Sequence, residues 1–222
     1  MLGRRLKGEP LQYIFGVAHF RNLILEVGPG VLIPRPETEE LVDVVLSKCR
    51  RGAKVCDVGT GSGAIALAVA TERPDTKVTA VEISAAALPY ARKNIDWLRP
   101  DNLELVESDL LSGLAGRAFD VIAANLPYIA ERFRPDLQRE VVEWEPGSAL
   151  FAGDDGLSLI RRLLAEAPRH MAAGACIILE ISPEQKSELA GIVGSLGAYG
   201  PAEFRQDMSG KTRFCVVSPI RI

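Results

Sequence analysis

"AKVCDVGTGSGAIALA", residues 53 to 68, is the stretch that decides the fold. The apolar run around Val55 to Val58 ends in alternating glycines, Gly59, Gly61 and Gly63, and then opens into a helical pattern of small residues. Glycines between a strand and a helix let the backbone approach a ligand where a Cβ would clash, and the helix start offers it free N–H groups. The loop Gly59, Thr60, Gly61, Ser62, Gly63 therefore reads as a cofactor cradle. Its spacing has more than one meaning. Gly59, Gly61 and Ala64 also satisfy the dinucleotide fingerprint, with Glu82 about 20 residues on where an acid takes a ribose hydroxyl, so a nicotinamide oxidoreductase fits the loop by itself. The rest of the chain offers no identifiable hydride-transfer residues.

Outward from this loop, strands and helices alternate. Residues 53–59, 76–83, 102–109, 119–125, 175–181 and 212–218 read as strands, and 64–73, 84–98, 156–172 and 184–197 as helices. A further helix starts in "PRPETEELVDVVLSKCR": Pro36 suits its first turn, Glu37, Glu39 and Glu40 favour the positive end of its dipole, and Leu41, Val44 and Val45 form its apolar stripe. Residues 11–33, β-branched and aromatic and punctuated by Gly16 and Gly28-Pro29-Gly30, read as a small β-hairpin region. The alternation predicts an α/β fold with a largely parallel sheet. Ligands of such sheets bind beyond the carboxyl ends of the strands, so the strand ends are where chemistry belongs.

Three strand ends stand out beside the glycine loop. Glu82 ends the second strand and Asp109 the third, where Asp109 would lie near an adenine. Past the fourth comes "NLPY", Asn125 to Tyr128. An amide or exocyclic amine is a poor nucleophile because its lone pair is delocalised, and a transferase has to hold it with that pair aimed at the incoming carbon. The Asn125 side-chain oxygen and the Leu126 carbonyl can each take one N–H, stabilising charge that develops at nitrogen. Pro127 stiffens the turn, and Tyr128 can pack against the planar acceptor.

Bulk properties restrict the partners. The chain has 222 residues, with 26 Lys and Arg against 29 Asp and Glu, a net charge of −3 that argues against gripping nucleic acid by electrostatics. "GRRLK" at 3–7 is the only obvious basic cluster. Cys49, Cys56, Cys176 and Cys215 lack CxxC spacing and only His19 and His170 could assist, so no metal site is expected and the cysteines read as buried thiols of a cytoplasmic protein. No apolar run reaches the roughly 20 residues that span a bilayer, and the start has no signal-peptide form.

Several blocks in order resemble the HemK/PrmC family of peptide-release-factor glutamine methyltransferases: "GEPLQYIFG" (8–16), "LIPRPETEELVD" (32–43), "DVGTGSGAIALA" (57–68), "NLPYI" (125–129), "EWEPGSALFAGDDGL" (143–157) and "DMSGKTRF" (207–214). The resemblance implies a Rossmann-like class I S-adenosylmethionine-dependent methyltransferase fold, with a seven-stranded mostly parallel sheet over 35–222 behind a linker and β-hairpin in 1–34. It implies methyl transfer from S-adenosylmethionine to the side-chain nitrogen of the glutamine in the GGQ loop of class I release factors. Gly59 to Gly63 would then cradle the cofactor, Glu82 bind its ribose, Leu110 border its adenine, Asn125 to Tyr128 hold the glutamine, with Asn125 also touching the cofactor, and Arg35 and Glu37 close the pocket. Three departures accompany it. Leu126 replaces the first proline of the family's NPPY, as also in ribosomal RNA adenine dimethyltransferases, Glu82 replaces an aspartate, and the family's N-terminal helical domain is absent, with the chain starting seven residues before its linker block. Open beside this reading stand an adenine-N6 methyltransferase, a ribosomal-protein glutamine methyltransferase and a silent S-adenosylmethionine-binding module.

Overall fold

The structure is a computed structural model and describes residues 1–220; the last two positions of the expected methyltransferase domain lie outside the described residues. Two short helices, α1 (Leu2–Arg5) and α2 (Leu11–Phe15), precede an antiparallel hairpin of β1 (Val17–Phe20) and β2 (Leu23–Glu26). The hairpin was expected from residue 11, but "LQYIF" is helical. Gly16 ends it in the left-handed region at φ 76°, which a Cβ-free residue adopts without strain.

The main body runs α3 (Pro36–Lys48), β3 (Lys54–Val58), α4 (Ala64–Glu72), β4 (Lys77–Glu82), α5 (Leu88–Leu98), β5 (Leu103–Glu107), β6 (Phe119–Ala124), α6 (Arg139–Trp144), α7 (Ser158–Glu166), β7 (Met171–Glu180), α8 (Lys186–Leu196), β8 (Glu203–Gln206) and β9 (Thr212–Val217). Seven strands form one sheet in the order β5-β4-β3-β6-β7-β9-β8, with β9 antiparallel to both its neighbours. The predicted helix 156–172 is shorter than expected. Pro168 follows α7 in a 3-10 turn and β7 already begins at Met171. The edge strand β8, which the sequence reading left unassigned, carries no fully buried residue and so lacks the apolar signal of the inner strands.

Each face of the sheet has its own core. One packs α3 and α4 with hairpin residues Phe20, Leu23 and Leu25, and in it Ala64 to Ala70 of α4 are all buried. The other packs α7, through Ile160, Leu163 and Leu164 at helical spacing, and α8 through Leu189 and Val193. Asn94 of α5 joins the hairpin to the glycine loop: its amide bonds both backbone groups of Glu26 and donates to the Ser62 carbonyl at 2.8 Å. All four cysteines are buried and unpaired. Among the described residues no helix is long and apolar enough to cross a membrane.

The chain order sets the site. From β3 the sheet grows one way through β4 and β5 and the other way through β6 and β7, so the strand order reverses between β3 and β6. Open α/β sheets bind ligands at such a switch point. Val58 and Ala124 are paired across it, so Gly59 and Asn125 leave the sheet side by side.

Candidate functional site

A cleft opens at that point, lined by Val31, Gly59 to Ser62, Glu82 to Ser84, Ser108 to Leu110 and Asn125 to Pro127, among others. Gly59, Gly61 and Gly63 have φ of 75°, 60° and 88°, a conformation L side chains resist. A Cβ at Gly59 would lie 2.9 Å from Leu126 Cδ2, so this glycine makes room for the neighbouring loop as well as for a ligand. Gly63 caps the start of α4 and, though in the cradle motif, meets Leu67 rather than the cleft.

Glu82 is buried and already engaged. Its Oε2 accepts from Gly61 N at 2.8 Å, and its Oε1 from Ile83 N at 2.9 Å and Ser84 N at 2.8 Å. The extra methylene over an aspartate lets the carboxylate reach back to the glycine loop and hold it, while lining the cleft. Asp57, fully buried below the loop, accepts from Thr60 Oγ1 and Ala66 N, and its Oδ1 has no partner; burial pushes its carboxyl up to about 7.

The "NLPY" segment borders two cavities at once. Asn125 and Leu126 line both the cleft and a second pocket of about 410 Å³, which Arg35, Tyr128, Gln138 and Glu180 help to form. Asn125 Nδ2 donates to Thr38 Oγ1 at 3.0 Å, Thr38 Oγ1 donates to Glu180 Oε2 at 2.8 Å, and Tyr128 donates through its hydroxyl to Glu180 Oε1 at 3.2 Å. Burial and the Glu180 charge hold the Tyr128 phenol well above its ordinary pKa. The main chain of the segment is held separately: Gln185 Nε2 donates to the Tyr128 carbonyl at 2.8 Å and to the Asp155 carbonyl at 3.1 Å.

The outer residues settle differently. Arg35 pairs with Glu145 at 2.5 Å, and Glu145 also accepts from Ile33 N, so the "RPETE" and "EWEP" blocks clasp across one wall of the second pocket. Glu37, expected to help close the pocket, is exposed on the first turn of α3 and lines neither cavity. Leu110 lines the cleft with φ 47°, while the half-exposed Asp109 carboxylate sits at its rim paired with Arg162 at 2.7 Å. Thr38, Glu180, Gln185 and Glu145 are the site residues that sequence reasoning passed over. A signal existed for two of them: Thr38 is a polar residue three positions before Leu41 in an apolar stripe, and Glu180 is an acid ending the apolar strand "ACIILE".

The cleft fits S-adenosylmethionine by its own chemistry. Glycine backbone replaces side chains along one wall, a buried acid stands at another, and apolar Ile83 and Leu110 flank the space beyond it. The chain matches the "Methyltransferase small domain" family model over residues 37–144. It is 41% identical over 210 residues to a release factor glutamine methyltransferase of Gloeobacter violaceus, covering 93% of this chain and 73% of that one. A relative of the same name from Lactococcus lactis is 39% identical over 212 residues, covering 95% and 78%. Among solved structures, a methyltransferase from Pyrococcus furiosus superposes with a TM-score of 0.68 at 23% identity, covering 100% of this chain and 98% of that one, a likeness that speaks for the fold alone.

Proposed function

The chain belongs to the release factor glutamine methyltransferase family, and from that premise we propose that it methylates the side-chain nitrogen of the GGQ-loop glutamine in class I release factors. The observation that carries the reading is the shared wall: Asn125 and Leu126 border the cofactor cleft on one side and the second pocket on the other. An acceptor entering the second pocket meets the cofactor across these two residues.

S-adenosylmethionine, when bound, supplies an electrophilic methyl group. The protein supplies alignment. With Nδ2 committed to Thr38, Asn125 keeps its Oδ1 for a substrate amide in the cavities it borders, and the Leu126 carbonyl serves as the second acceptor. Together they take the two N–H groups of the substrate amide and turn the nitrogen lone pair toward the cleft, an interaction that strengthens as positive charge grows on nitrogen. Nitrogen becomes acidic as it gains the methyl group, so its proton leaves afterwards without a strong base. Gly59 to Ser62 and Leu110 cradle the cofactor, Glu82 takes its ribose, and Asp109 works at the rim through its pair with Arg162. Arg35 closes the substrate pocket through Glu145. A cytoplasmic setting accords with four buried, unpaired thiols.

Transfer of radiolabelled methyl to a purified class I release factor tests this, beside a variant factor with the GGQ glutamine changed to alanine and a ribosomal RNA fragment. Label on the factor, lost in the variant, is the expected result. Label on the RNA instead makes the segment an adenine clamp and refutes the proposal.

A further inference from the structure

Among the buried carboxylates given no role above, one borders the second pocket. Glu180 is 2% exposed and ends β7, where Ala175 to Leu179 are all buried and apolar. Taking a carboxylate out of water is costly, and an apolar residue would finish this strand without that cost. What Glu180 gains is two hydroxyl donors, from Thr38 on α3 and from Tyr128 beyond β6, and both of these residues border the site.

The direction of these bonds carries information. An ionised carboxylate only accepts, so Thr38 has to turn its hydroxyl hydrogen to Glu180. Thr38 then offers Asn125 nothing but lone pairs, and only the N–H edge of the Asn125 amide can answer, as it does at 3.0 Å. Oδ1 is left for the cavities that Asn125 borders, where a substrate N–H needs an acceptor.

We propose that Glu180 is a positioning residue of the methyl transfer: through Thr38 it fixes which edge of the Asn125 amide meets the substrate, and through Tyr128 it holds a wall of the same pocket. The proposal rests on Asn125 acting as the N–H acceptor described above. A protonated Glu180 reverses the argument. Its hydroxyl can donate to Thr38, the Thr38 hydrogen can then turn to Asn125, and the amide can turn over without losing a hydrogen bond. Ionisation therefore selects the productive orientation. Burial, with Glu37 of α3 adding like charge, raises the Glu180 carboxyl to about 7, while the hydroxyls of Thr38 and Tyr128 and the charge of Arg213 on β9 favour the ionised form. Arg213 is itself held by Asp207 at 3.3 Å.

The test compares wild type, Glu180→Gln, Thr38→Val and the double variant. In the wild type, kcat on the release factor should rise as pH passes through about 7. Glu180→Gln, which keeps the shape and removes a buried charge, should lose about 10- to 100-fold in kcat on the alkaline side. Its profile should lack that ionisation, and its S-adenosylmethionine affinity should be unchanged. Thr38→Val should lose as much, and the double variant no more than either, because one relay is broken once. Independently of any substrate, the Asn125 side-chain N–H₂ signals in nitrogen-15 NMR should titrate with the same midpoint in wild type and stay still in Glu180→Gln. A Glu180→Gln enzyme with wild-type kcat and pH profile, or an Asn125 amide that does not titrate in the wild type, overturns the proposal. A wild type that labels no release factor while its Asn125 amide titrates refutes the substrate reading and leaves the relay standing.

Discussion

Asn125 and Glu82 stand on different walls of one crevice, and substituting each separates binding from transfer. Asn125→Ala removes an acceptor used on the substrate amide as charge develops there, so kcat should fall about 10²-fold or more. S-adenosylmethionine affinity, measured by calorimetry, should hardly move. Glu82→Ala should weaken S-adenosylmethionine by about 1 to 3 kcal/mol through loss of a charge-assisted acceptor. It should also lower the melting temperature of the free protein, because Gly61, Ile83 and Ser84 lose the acceptor of their N–H groups. Equal loss of cofactor affinity in both variants would contradict this division. At this scale the sequence was readable where a residue type is unusual for its place, as with glycines before a helix or Asn-Leu-Pro-Tyr after an apolar strand. It was less readable where a role depends on a distant partner. Neither Thr38 nor Glu180 announces the other, since 142 positions separate them and only the sheet order brings them together.

The loops between elements carry the positioning, and Gly156 is the clearest case. It lies in the "DDGL" turn before α7 at φ 74°, and a Cβ there would run into the Tyr128 carbonyl and lie 2.8 Å from Gln185 Nε2. Gly156→Ala should therefore do more than add left-handed strain of about 1 to 3 kcal/mol. It should push the Tyr128 main chain off Gln185 and lower kcat, with S-adenosylmethionine affinity kept, since Gly156 does not line the cleft. Wild-type kcat in a folded Gly156→Ala protein would mean that Gln185 does not set the segment. Leu126 shows the same economy: its side chain is buried against the space that Gly59 leaves open, which fixes the segment by packing where the family's proline fixes it by ring closure. The elements themselves were legible wherever burial wrote a period into the chain, as in the inner strands and α3. They were misjudged at "LQYIF", whose β-branched and aromatic residues favour a strand until the left-handed Gly16 is counted as a helix cap, and at β8, an edge with little burial to record.

Across the whole molecule, the switch point of the sheet explains why so few residues make the site. The reversal between β3 and β6 places the glycine loop and the "NLPY" segment next to each other, and each later block of resemblance comes back to them. "EWEP" returns as Glu145 against Arg35, "DDGL" as Gly156 beneath Tyr128, and "DMSGKTRF" as Asp207 and Arg213 behind Glu180. Alternating strands and helices made this architecture legible without knowledge of any contact, whereas the returns required the folded chain. In this reading the amide nitrogen of one glutamine is delivered across Asn125 to the cofactor. That delivery is tested most directly by locating the methyl group, by fragmentation mass spectrometry, on a class I release factor incubated with this protein and S-adenosylmethionine. A single methyl group should appear on the side-chain nitrogen of the GGQ glutamine, and be absent when Asn125→Ala replaces the wild type. A methyl group on another residue, or the same yield from Asn125→Ala, would contradict it.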